Sequence, residues 1–541
     1  MPTLISSRVR RFLATCLAAL IIQMTASGAA PLVQWATVAG GPGRDYPHGI
    51  ALAPAGELYL VGDFEQEVNG GWDRPTKVLY KFDISGTLIN SQASRGESIK
   101  GVAVDPQGNY YLTGRVWDSR RLGLGQNNAF YLAKYSSTGT LLWERATGSP
   151  SPGGGIKYEG NGGSKIVLDA AGNIYVTGAS YGPAVFGNVT FPDTPGGPLL
   201  CKYDQHGTLL WGKRVEGTSL IFENFNSGVG GSANDLALDR DGNLVITGYL
   251  NDGKADFGGT VINIDGPYSG YFFVAKFNGA GEVQWAKQSH GGYGVAVDRT
   301  GNMFCTGDAV SADPDGLNGT YFGKLAADGN PIWEKVIKGA YARSMTLDGK
   351  DNPILVASLY QTVQLDDFAV PYNGIGRGWD FPEILICKAD SAGKFQWAIT
   401  ESGAPTASAG PVYGDRDGNI YVAGAIGCGI DNGAEVCGTG MLGSFPLELL
   451  FPDAANHGRD LFVSRLIDPD AVATELKFTR IGNGITLSWP VSLAGFGLES
   501  ATALPAANWS AVPGTPSIVG DQNVVTVETG NSSKLFRLRK P

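Results

Sequence analysis

The stretch Leu238-Asp239-Arg240-Asp241-Gly242-Asn243-Leu244-Val245-Ile246-Thr247-Gly248 decides the fold of this chain. It predicts a strand, a tight turn and a second strand, because Asp and Gly-Asn favour turns and the branched apolar residues after them suit a pleated sheet. The same phrase recurs six more times, at 53–62, 105–114, 169–178, 298–307, 348–357 and 415–424. The copies at 53–62 and 348–357 match it only in part. Seven copies at intervals of about 50 to 70 residues indicate a repeat architecture.

A second phrase follows each copy of the first in most repeats. It consists of Lys, a Gly five residues later and a Trp four residues after that, and it predicts a strand, a Gly turn and another strand. The copies are Lys134-Gly139-Trp143, Lys202-Gly207-Trp211, Lys276-Gly281-Trp285, Lys324-Gly329-Trp333 and Lys388-Gly393-Trp397, with Lys81-Gly86-Asn90 as a sixth that lacks the Trp. Each repeat therefore carries four antiparallel strands, and seven such units are typical of a β-propeller.

The two ends of the repeated region complement each other. The seventh repeat has a third strand at 461–466, with Arg465 in the Lys place, but no Trp strand follows it. An unmatched Trp strand stands at the N-terminus, around Trp35. We expect this strand to pair as the outer strand of the last blade, which would close the ring and cover an exposed edge.

The sequence therefore predicts an all-β chain in three parts. Residues 1–30 form a signal peptide, residues 31–468 form a seven-bladed β-propeller closed by the N-terminal strand, and residues 471–541 form a small β-sandwich of the fibronectin or immunoglobulin kind. Arg8, Arg10 and Arg11 precede the apolar stretch 12–24, and small residues at 26–30 would suit cleavage. We expect a protein that is secreted, periplasmic or at the cell surface, with no transmembrane segment after cleavage.

Net charge limits the expected partners of the chain, and the number of cysteines limits its disulfides. The formal net charge is −10 and no basic run is present, so nucleic acid is not an expected partner. Five cysteines remain after cleavage, an odd number that excludes a complete set of intrachain disulfides. Cys428 and Cys437 flank a Gly-rich loop and are the one plausible disulfide, whereas the other three lie in predicted strands.

The two phrases, as they stand at 169–178 and 202–211, resemble the bacterial SBBP (seven-bladed β-propeller) repeat family over about residues 31–468. This resemblance implies a propeller fold and an extracytoplasmic setting, but no single activity. The tail, with Leu487-Ser488-Trp489, Trp509 and Phe536-Arg537-Leu538, is similar to small β-modules at the ends of secreted proteins of environmental bacteria.

Loop lengths distinguish the two ends of the predicted blades. The repeated turns are short and lie at one end, whereas the connections 212–232, 250–270, 359–383 and 426–459 lie at the other end and differ in every repeat. Function usually lies on the variable face of a rigid scaffold. The candidate ligand-binding residues there are Tyr372, Arg377, Trp379, Asp380, Phe222 and Phe225, which could stack on sugars or hold a peptide. The alternative is that these aromatic residues only pack against neighbouring loops.

A calcium ion is the one cofactor that the sequence suggests. Asp313, Asp315 and Asn318 offer oxygen ligands in a variable loop, although no distal Glu completes an EF-hand pattern. The aspartates of the repeated turn also look like fragments of a calcium loop, but a single Asp that caps its own turn explains them as well.

Three functions are considered at this stage. A quinone-dependent dehydrogenase is the least favoured, because the second phrase resembles the tryptophan-docking repeat of that family but the repeats number seven rather than eight and the family's adjacent Cys-Cys pair is absent. Two other functions stay open. The first is a non-catalytic binding or scaffold protein whose partner is an extracellular glycan or protein. The second is a propeller enzyme that acts on extracellular polysaccharide, with Asp366, Asp367 and Asp380 as acid and base. No Gly-x-Ser-x-Gly elbow and no paired histidines with metal-ligand spacing are present, which favours the first function. The Trp residues of the second phrase, and the Gly residues that end the first, are expected to be structural.

Overall fold

A computed structural model describes residues 30–41, 43–66, 75–118, 127–147, 161–192, 194, 196–218, 230–251, 253–264, 271–309, 319–373, 382–404, 406–431, 434–443, 445–450, 459–468, 476–481, 484–490, 497–501, 509–519, 522–528 and 534–539. Every regular element within these ranges is a β-strand, so the all-β prediction is confirmed for them. The same ranges contain no helix of the length and hydropathy needed to cross a membrane.

Seven four-stranded antiparallel sheets make up the repeated region. The strands as far as the fourth sheet are β1 (Leu32–Ala39), β2 (Arg44–Leu52), β3 (Leu58–Gln66), β4 (Lys77–Phe82), β5 (Leu88–Ala93), β6 (Glu97–Val104), β7 (Tyr110–Asp118), β8 (Asn127–Tyr135), β9 (Leu141–Thr147), β10 (Gly162–Leu168), β11 (Ile174–Ser180), β12 (Ala184–Phe186), β13 (Val189–Phe191), β14 (Gly197–Tyr203), β15 (Leu209–Arg214), β16 (Glu216–Thr218), β17 (Ser232–Leu238), β18 (Leu244–Leu250), β19 (Gly253–Asp256), β20 (Val261–Ile264), β21 (Tyr271–Phe277) and β22 (Val283–Ser289). The remaining strands of the repeated region are β23 (Gly294–Val297), β24 (Met303–Ala309), β25 (Gly319–Leu325), β26 (Pro331–Lys338), β27 (Ala340–Leu347), β28 (Pro353–Leu359), β29 (Val363–Leu365), β30 (Phe368–Val370), β31 (Glu383–Ala389), β32 (Phe395–Ser402), β33 (Thr406–Gly414), β34 (Asn419–Gly427), β35 (Gly429–Asp431), β36 (Ala434–Val436), β37 (Gly440–Leu442), β38 (Phe445–Leu447) and β39 (Arg459–Ile467).

The order of strands within each sheet follows the chain. Sheet one is β2-β3-β4-β5, sheet two β6-β7-β8-β9, sheet three β10-β11-β14-β15, sheet four β17-β18-β21-β22, sheet five β23-β24-β25-β26, sheet six β27-β28-β31-β32 and sheet seven β33-β34-β39-β1. The first strand of every sheet contacts the first strand of the next, and β33 of sheet seven contacts β2 of sheet one.

The N-terminal strand pairs where the sequence predicts. β1 runs antiparallel to β39, from Leu32 opposite Ile467 to Ala39 opposite Leu461. A parallel bridge between Arg44 and Arg459 also connects sheets one and seven. The last sheet is thus completed by the beginning of the chain.

The two sequence phrases meet in space at the short-turn end. In sheet four, Asp239 Oδ1 accepts the N–H groups of Asp241 and Asn243 at 3.0 and 2.8 Å, and its Oδ2 lies 3.0 Å from Lys276 Nζ. Burial opposes ionisation, but the bonds from Asn243 and Lys276 lower the pKa of Asp239. The same Lys–Asp pair recurs as Lys134–Asp105, Lys324–Asp298 and Lys388–Asp348. These aspartates therefore cap turns and anchor lysines.

Tryptophan and glycine of the second phrase join neighbouring sheets. A Cβ atom on Gly281 would lie 3.0 Å from the ring of Trp211 in the preceding sheet, and Gly281 has a φ of +78°. Trp143 packs on Gly207, Trp285 on Gly329 and Trp333 on Gly393 in the same way. Trp35 of β1 packs on Gly86 of sheet one, which gives the last sheet the contact that its own repeat lacks. Only Gly combines this backbone conformation with room for the indole.

In the described ranges, four of the variable connections contain a short β-hairpin that packs between sheets. These hairpins are β12–β13, β19–β20, β29–β30 and β37–β38, and β35–β36 forms a further hairpin in the last connection. Each of the first four lies against the preceding sheet and buries apolar residues between two sheets, as Phe186, Phe257, Phe368 and Leu442 show. For these segments, packing between sheets explains the apolar residues of the long connections.

The C-terminal region forms two small sheets. Its strands are β40 (Lys477–Ile481), β41 (Gly484–Pro490), β42 (Gly497–Ala501), β43 (Ser510–Ala511), β44 (Ser517–Val519), β45 (Gln522–Glu528) and β46 (Leu535–Arg539), ordered β40-β41-β45-β44 and β43-β42-β46. Trp489 is 1% exposed and packs with Leu487, Leu498 and Ile467, the last residue of β39.

Candidate functional site

The first strand of six of the seven sheets contains a β-bulge at the equivalent position of the repeat. The pairing of first and second strands shifts register at His48, Lys100, Ser164, Asn234, Arg343 and the pair Gly410-Pro411. In sheet five Tyr293 takes this place, one residue before β23, and donates its N–H to the carbonyl of Thr306. Bulges re-aim side chains at functional sites in many sheets.

The glycine that ends the first phrase makes room for the bulge. A Cβ atom on Gly248 would lie 1.9 Å from the carbonyl oxygen of Ser232, and one on Gly178 would lie 1.9 Å from that of Gly162. No side chain fits so close to a backbone oxygen, so Gly is required at both positions. The sequence predicts that a side chain at this glycine would crowd the backbone. The structure shows the cause, which is the carbonyl oxygen that the bulge brings close to the glycine. Sheet six keeps its bulge with Ala357 in the same place.

All of the bulged residues line one central cavity of about 270 Å³. Its polar lining is His48, Lys100, Ser164, Lys165, Asn234, Asp235, Tyr293, Arg343 and Ser344. Sequence reasoning missed these residues, although a signal was present. In every sheet a bulged residue stands five positions before the first residue of the turn phrase, as Lys100 does before Asp105 and Asn234 before Asp239.

Lys100 lines one side of this cavity. Partial removal of its ammonium group from water and the charge of Arg115 lower the pKa of Lys100, while Asp63 opposes the shift. Asp63 Oδ2 lies 3.2 Å from His48 Nε2 and accepts a hydrogen bond from Ser98 Oγ at 3.0 Å. Burial raises the pKa of Asp63, but these two bonds and the charge of Lys100 outweigh it, so the pKa falls. The carboxylate is thus held ionised next to the lysine.

A second polar group lies on sheets three to six. Lys165 Nζ is 3.0 Å from Asp235 Oδ1, and the N–H of Val295 donates to Asp235 Oδ2 at 2.9 Å. Tyr293 donates its hydroxyl to Asp308 Oδ2 at 2.7 Å, and the guanidinium of Arg343 lies 5.6 Å from the Tyr293 ring centre. Burial raises the pKa of Asp308. The cavity therefore offers both cationic donors and carboxylate acceptors to a polar ligand.

A second cavity, of about 280 Å³, lies at the short-turn end of the sheets and has a different lining. Arg240, Arg299 and Arg416 line it together with the aspartates of the repeated turns. Arg299 lies 3.6 Å from Asp351, a non-Gly residue with a φ of 65°. The residues that line this cavity also form the repeated turns. A substitution of an aspartate in the lining would therefore also affect the turns and the stability of the fold.

Tyr372 is the one candidate ligand-binding residue that falls within the described ranges. It is half-buried, packs against the apolar cluster around Phe368, and does not line the central cavity. The other candidates, Arg377, Trp379, Asp380, Phe222 and Phe225, lie outside the described residues, as do the calcium candidates Asp313, Asp315 and Asn318. Among the residues that the structure describes, no three His, Cys, Asp or Glu side chains cluster as metal ligands.

The proposed acid and base, Asp366 and Asp367, occupy the turn of the β29–β30 hairpin. Asp366 lies 2.6 Å from Lys335 Nζ and accepts the N–H of Phe395 at 2.9 Å, and Asp367 lies 2.9 Å from Lys394 Nζ. These contacts place both carboxylates beside the short turn between β31 and β32, and neither lines the central cavity. The structure therefore does not bring these two carboxylates to the central cavity, and Asp380, the third carboxylate of this hypothesis, lies outside the described residues.

Two buried carboxyl groups were not singled out from the sequence. Glu383 and Glu401 are 1% and 0% exposed on adjacent strands of sheet six, and the Oε2 atom of each has no partner in the described part of the chain. Burial raises the pKa of Glu383 to about 7, and burial together with the charge of Glu383 raises the pKa of Glu401 to about 8.

A disulfide joins Cys428 to Cys437, with the Cα atoms 4.4 Å apart.

Comparison with known proteins gives distant matches. No family model matches this chain. An uncharacterised WD repeat-containing protein of Acanthamoeba polyphaga mimivirus is 25% identical over an alignment of 268 residues, and the match covers 39% of this chain. The chain spans 19% of the length of that relative.

Among solved structures, a protein of unknown function from Dyadobacter fermentans has a TM-score of 0.33 at 9% identity, covering 83% of this chain and all of its own. A gluconolactonase from Xanthomonas campestris has a TM-score of 0.30 at 12% identity, covering 61% of this chain and 95% of its own. Neither likeness carries a function to this chain. The repeated four-stranded sheets and their circular order of contacts make this chain an all-β protein with a β-propeller scaffold.

Proposed function

We propose that this chain is a secreted, non-catalytic binding protein, and that its seven sheets close into a seven-bladed β-propeller that receives a polar ligand in the central channel from the long-loop end. Closure is supported by the contact between β33 and β2 and by the pairing of β1 with β39. The signal-like segment at 1–30 supports secretion. The two spaced phrases support membership of the SBBP repeat family.

One observation carries the binding proposal. The bulge, the turn aspartate and the closing glycine repeat from sheet to sheet, while the bulged side chain is His, Lys, Ser, Asn, Tyr, Arg or Gly-Pro. A structural role would favour one residue type at every bulge, as it does for the glycine and the aspartate. A constant frame that displays different polar groups toward one cavity is what a specific ligand requires.

The ligand is expected to be an extracellular glycan or a segment of an extracellular protein. A cavity of about 270 Å³ accepts a sugar ring or the tip of a longer ligand. Lys100 and Arg343 line the cavity as hydrogen-bond donors and Asp235 lines it as an acceptor, so a ligand with hydroxyl groups or a carboxylate would be satisfied.

A glycan array and an extracellular-protein panel, probed with the purified chain, test this proposal. We expect the double variant Lys100→Met, Arg343→Met to lose at least tenfold in affinity for any ligand found, because hydrogen bonds to charged groups contribute about 1.5–3 kcal/mol each. The control Lys213→Met, Lys254→Met removes two exposed lysines outside the cavity and should bind normally. Full affinity in the channel variant would contradict the proposal.

The second candidate is a propeller enzyme that acts on extracellular polysaccharide. The Glu383–Glu401 pair has pKa values near neutrality, which suit general acid catalysis, but both side chains are buried and neither lines a described cavity, so catalysis would require sheet six to open at this place. Release of reducing ends from polysaccharides, abolished by Glu383→Gln or Glu401→Gln in a folded variant, would move the protein into this class.

A further inference from the structure

Three arginines line the cavity of about 280 Å³ at the short-turn end of the sheets. Arg240, Arg299 and Arg416 each follow the first Asp of a turn phrase, in sheets four, five and seven. Every residue that lines this cavity belongs to the described ranges, and none of them lines the central cavity. We propose that the three arginines bind a tetrahedral oxyanion, a phosphate or sulfate group that is free or ester-linked to a small molecule.

The turn itself does not require arginine at this place. The equivalent residues of sheets one, two, three and six are Pro54, Pro106, Ala170 and Gly349. The three arginines are exposed, although residues of the same turns are buried beside them. The conformation of the turn therefore does not explain why arginines occur in three of the four sheets around the cavity.

The aspartates of the turns also do not require the arginines as counter-ions. In sheet four Lys276 Nζ lies 3.0 Å from Asp239 Oδ2, and equivalent lysines hold the aspartates of sheets five and six. Burial raises the pKa of Asp415 in sheet seven. Within the described part of the chain, the side chains of Arg240 and Arg416 form no ion pair. Two positive charges at the cavity are therefore left for a ligand.

Arg299 is held in place across the junction of sheets five and six. Its Nε lies 3.6 Å from Asp351 Oδ1, its backbone N–H donates to Asp351 Oδ2 at 3.2 Å, and its Nη2 donates to the carbonyl of Gly349. A guanidinium carries five N–H donors, so several of them stay available for a ligand. A guanidinium that is already oriented loses little conformational entropy when it binds an anion.

The turn of sheet six departs from the repeat at the two residues that contact Arg299. The fourth residue of the phrase is a Gly with positive φ in the other six copies, whereas sheet six has Asp351 with a φ of 65°. Residues other than Gly adopt this region at a cost. At the second residue, a Cβ atom on Gly349 would lie 2.5 Å from the carbonyl oxygen of Arg416. The altered turn therefore fixes Arg299 and lets the backbone of Arg416 approach the residue that holds it.

The chemistry of the cavity favours a tetrahedral anion over a planar one. Guanidinium groups bind phosphate and carboxylate oxygens through paired N–H bonds. Arginines from three different sheets can each bond a different oxygen, and an esterified phosphate or sulfate offers three terminal oxygens, whereas a carboxylate offers two. The volume is just below the range of about 300–1,000 Å³ that small-molecule sites occupy, which fits such a group with a small substituent.

Isothermal titration calorimetry of the intact protein at low ionic strength tests the site with inorganic phosphate, inorganic sulfate, glucose 6-phosphate and glucose 6-sulfate. We expect saturable binding of at least one of these anions, with new hydrogen-exchange protection at 239–243 and 298–302. Tighter binding of a sugar ester than of the inorganic ions identifies an ester as the ligand, and the reverse order identifies the free anion. Glucuronate, which carries a carboxylate, should bind at least tenfold more weakly than the tightest of the four.

Variants of the two arginines without an ion pair test their role. Arg240→Ala with Arg416→Ala should weaken binding at least tenfold at an unchanged melting temperature, because sheet three has Ala170 at the equivalent place. Arg240→Lys with Arg416→Lys keeps the charge but not the paired bonds, and should weaken binding at least threefold. The control Lys213→Ala with Lys254→Ala removes two exposed charges outside the cavity and should bind normally.

Four results would overturn the proposal. They are no saturable binding of any of the four anions, tighter binding of glucuronate, an equal loss of affinity in the lysine control, and protection confined to the bulged strands at the central cavity.

Discussion

At the scale of single residues, Gly248 shows how much of the central cavity the sequence can predict. The repeated glycine predicts a crowded backbone, and the carbonyl oxygen of Ser232 confirms it. The consequence, a bulge that turns Asn234 toward a central cavity, could have been found from the constant offset of five residues before Asp239. The partners of the bulged residues, such as Asp63 for His48, depend on contacts between strands that no local pattern specifies.

The first prediction concerns this glycine. Gly248→Ala should lower the free energy of unfolding by about 1–3 kcal/mol, because the methyl group forces the bulge of β17 away from β18. Denaturant unfolding followed by Trp fluorescence measures the change. The reverse substitution at the same place in sheet six, Ala357→Gly, should cost about 1 kcal/mol or less. Equal costs for both variants would show that the crowding does not matter.

The second prediction concerns pH. Burial raises the pKa values of Glu383 and Glu401 above the ordinary value near 4.5, to about 7 and about 8. The folded state therefore holds protons that the unfolded state has released between about pH 4.5 and 8, so stability is fully present below this window and falls as pH rises through it.

Each pKa unit corresponds to about 1.4 kcal/mol, so the loss should reach a few kcal/mol by pH 8. Glu401→Gln keeps the shape without the charge, and it should flatten the dependence and raise the melting temperature at pH 8. Calorimetry from pH 5 to 9 measures both effects. A native protein whose stability does not change over this range would refute the assignment.

At the scale of elements, the strands of the repeated phrases were predictable and the hairpins were not. The Asp-Gly-Asn and Lys-Gly-Trp phrases identify strands because turn residues and alternating apolar residues act locally. The β29–β30 hairpin leaves no periodic signal in the sequence because its strands have three residues each. The sequence therefore does not show that Tyr372 packs on the apolar cluster that this hairpin completes.

The third prediction concerns β1. Deletion of residues 30–38 should expose the outer edge of β39 and remove the contact of Trp35 with Gly86, which lowers the melting temperature sharply. Hydrogen exchange at 461–466 should become fast in the truncated chain and stay slow in the intact one. Slow exchange after the deletion would mean that another segment covers the edge.

At the scale of the whole molecule, the sequence predicts where the repeats stop, and the described residues include a contact across that boundary. Ile467, at the end of β39, packs with Leu487 and Trp489 of the C-terminal sheets. Such a contact between distant segments leaves no local trace in the sequence. The fibronectin or immunoglobulin likeness of residues 471–541 stays a prediction.

The fourth prediction is that the C-terminal region folds apart from the repeats. A chain ending at Asp470 should stay soluble and unfold cooperatively, with a small loss of stability from the uncovered Ile467. Size-exclusion chromatography and thermal unfolding measure this. Aggregation of the shortened chain would mean that the two parts depend on each other.

Closure of the ring by the N-terminal strand is the claim on which the channel and its ligand both rest, and a disulfide cross-link tests it most directly. Ala36 lies opposite Ser464 in the pairing of β1 with β39, so Ala36→Cys with Ser464→Cys should form an intramolecular disulfide under mild oxidation, detected by mass spectrometry of the linked peptides. Leu32→Cys with Ser464→Cys, which is out of register, should not. A disulfide in the second pair, a link only between separate molecules, or none in the first pair would contradict the closed ring.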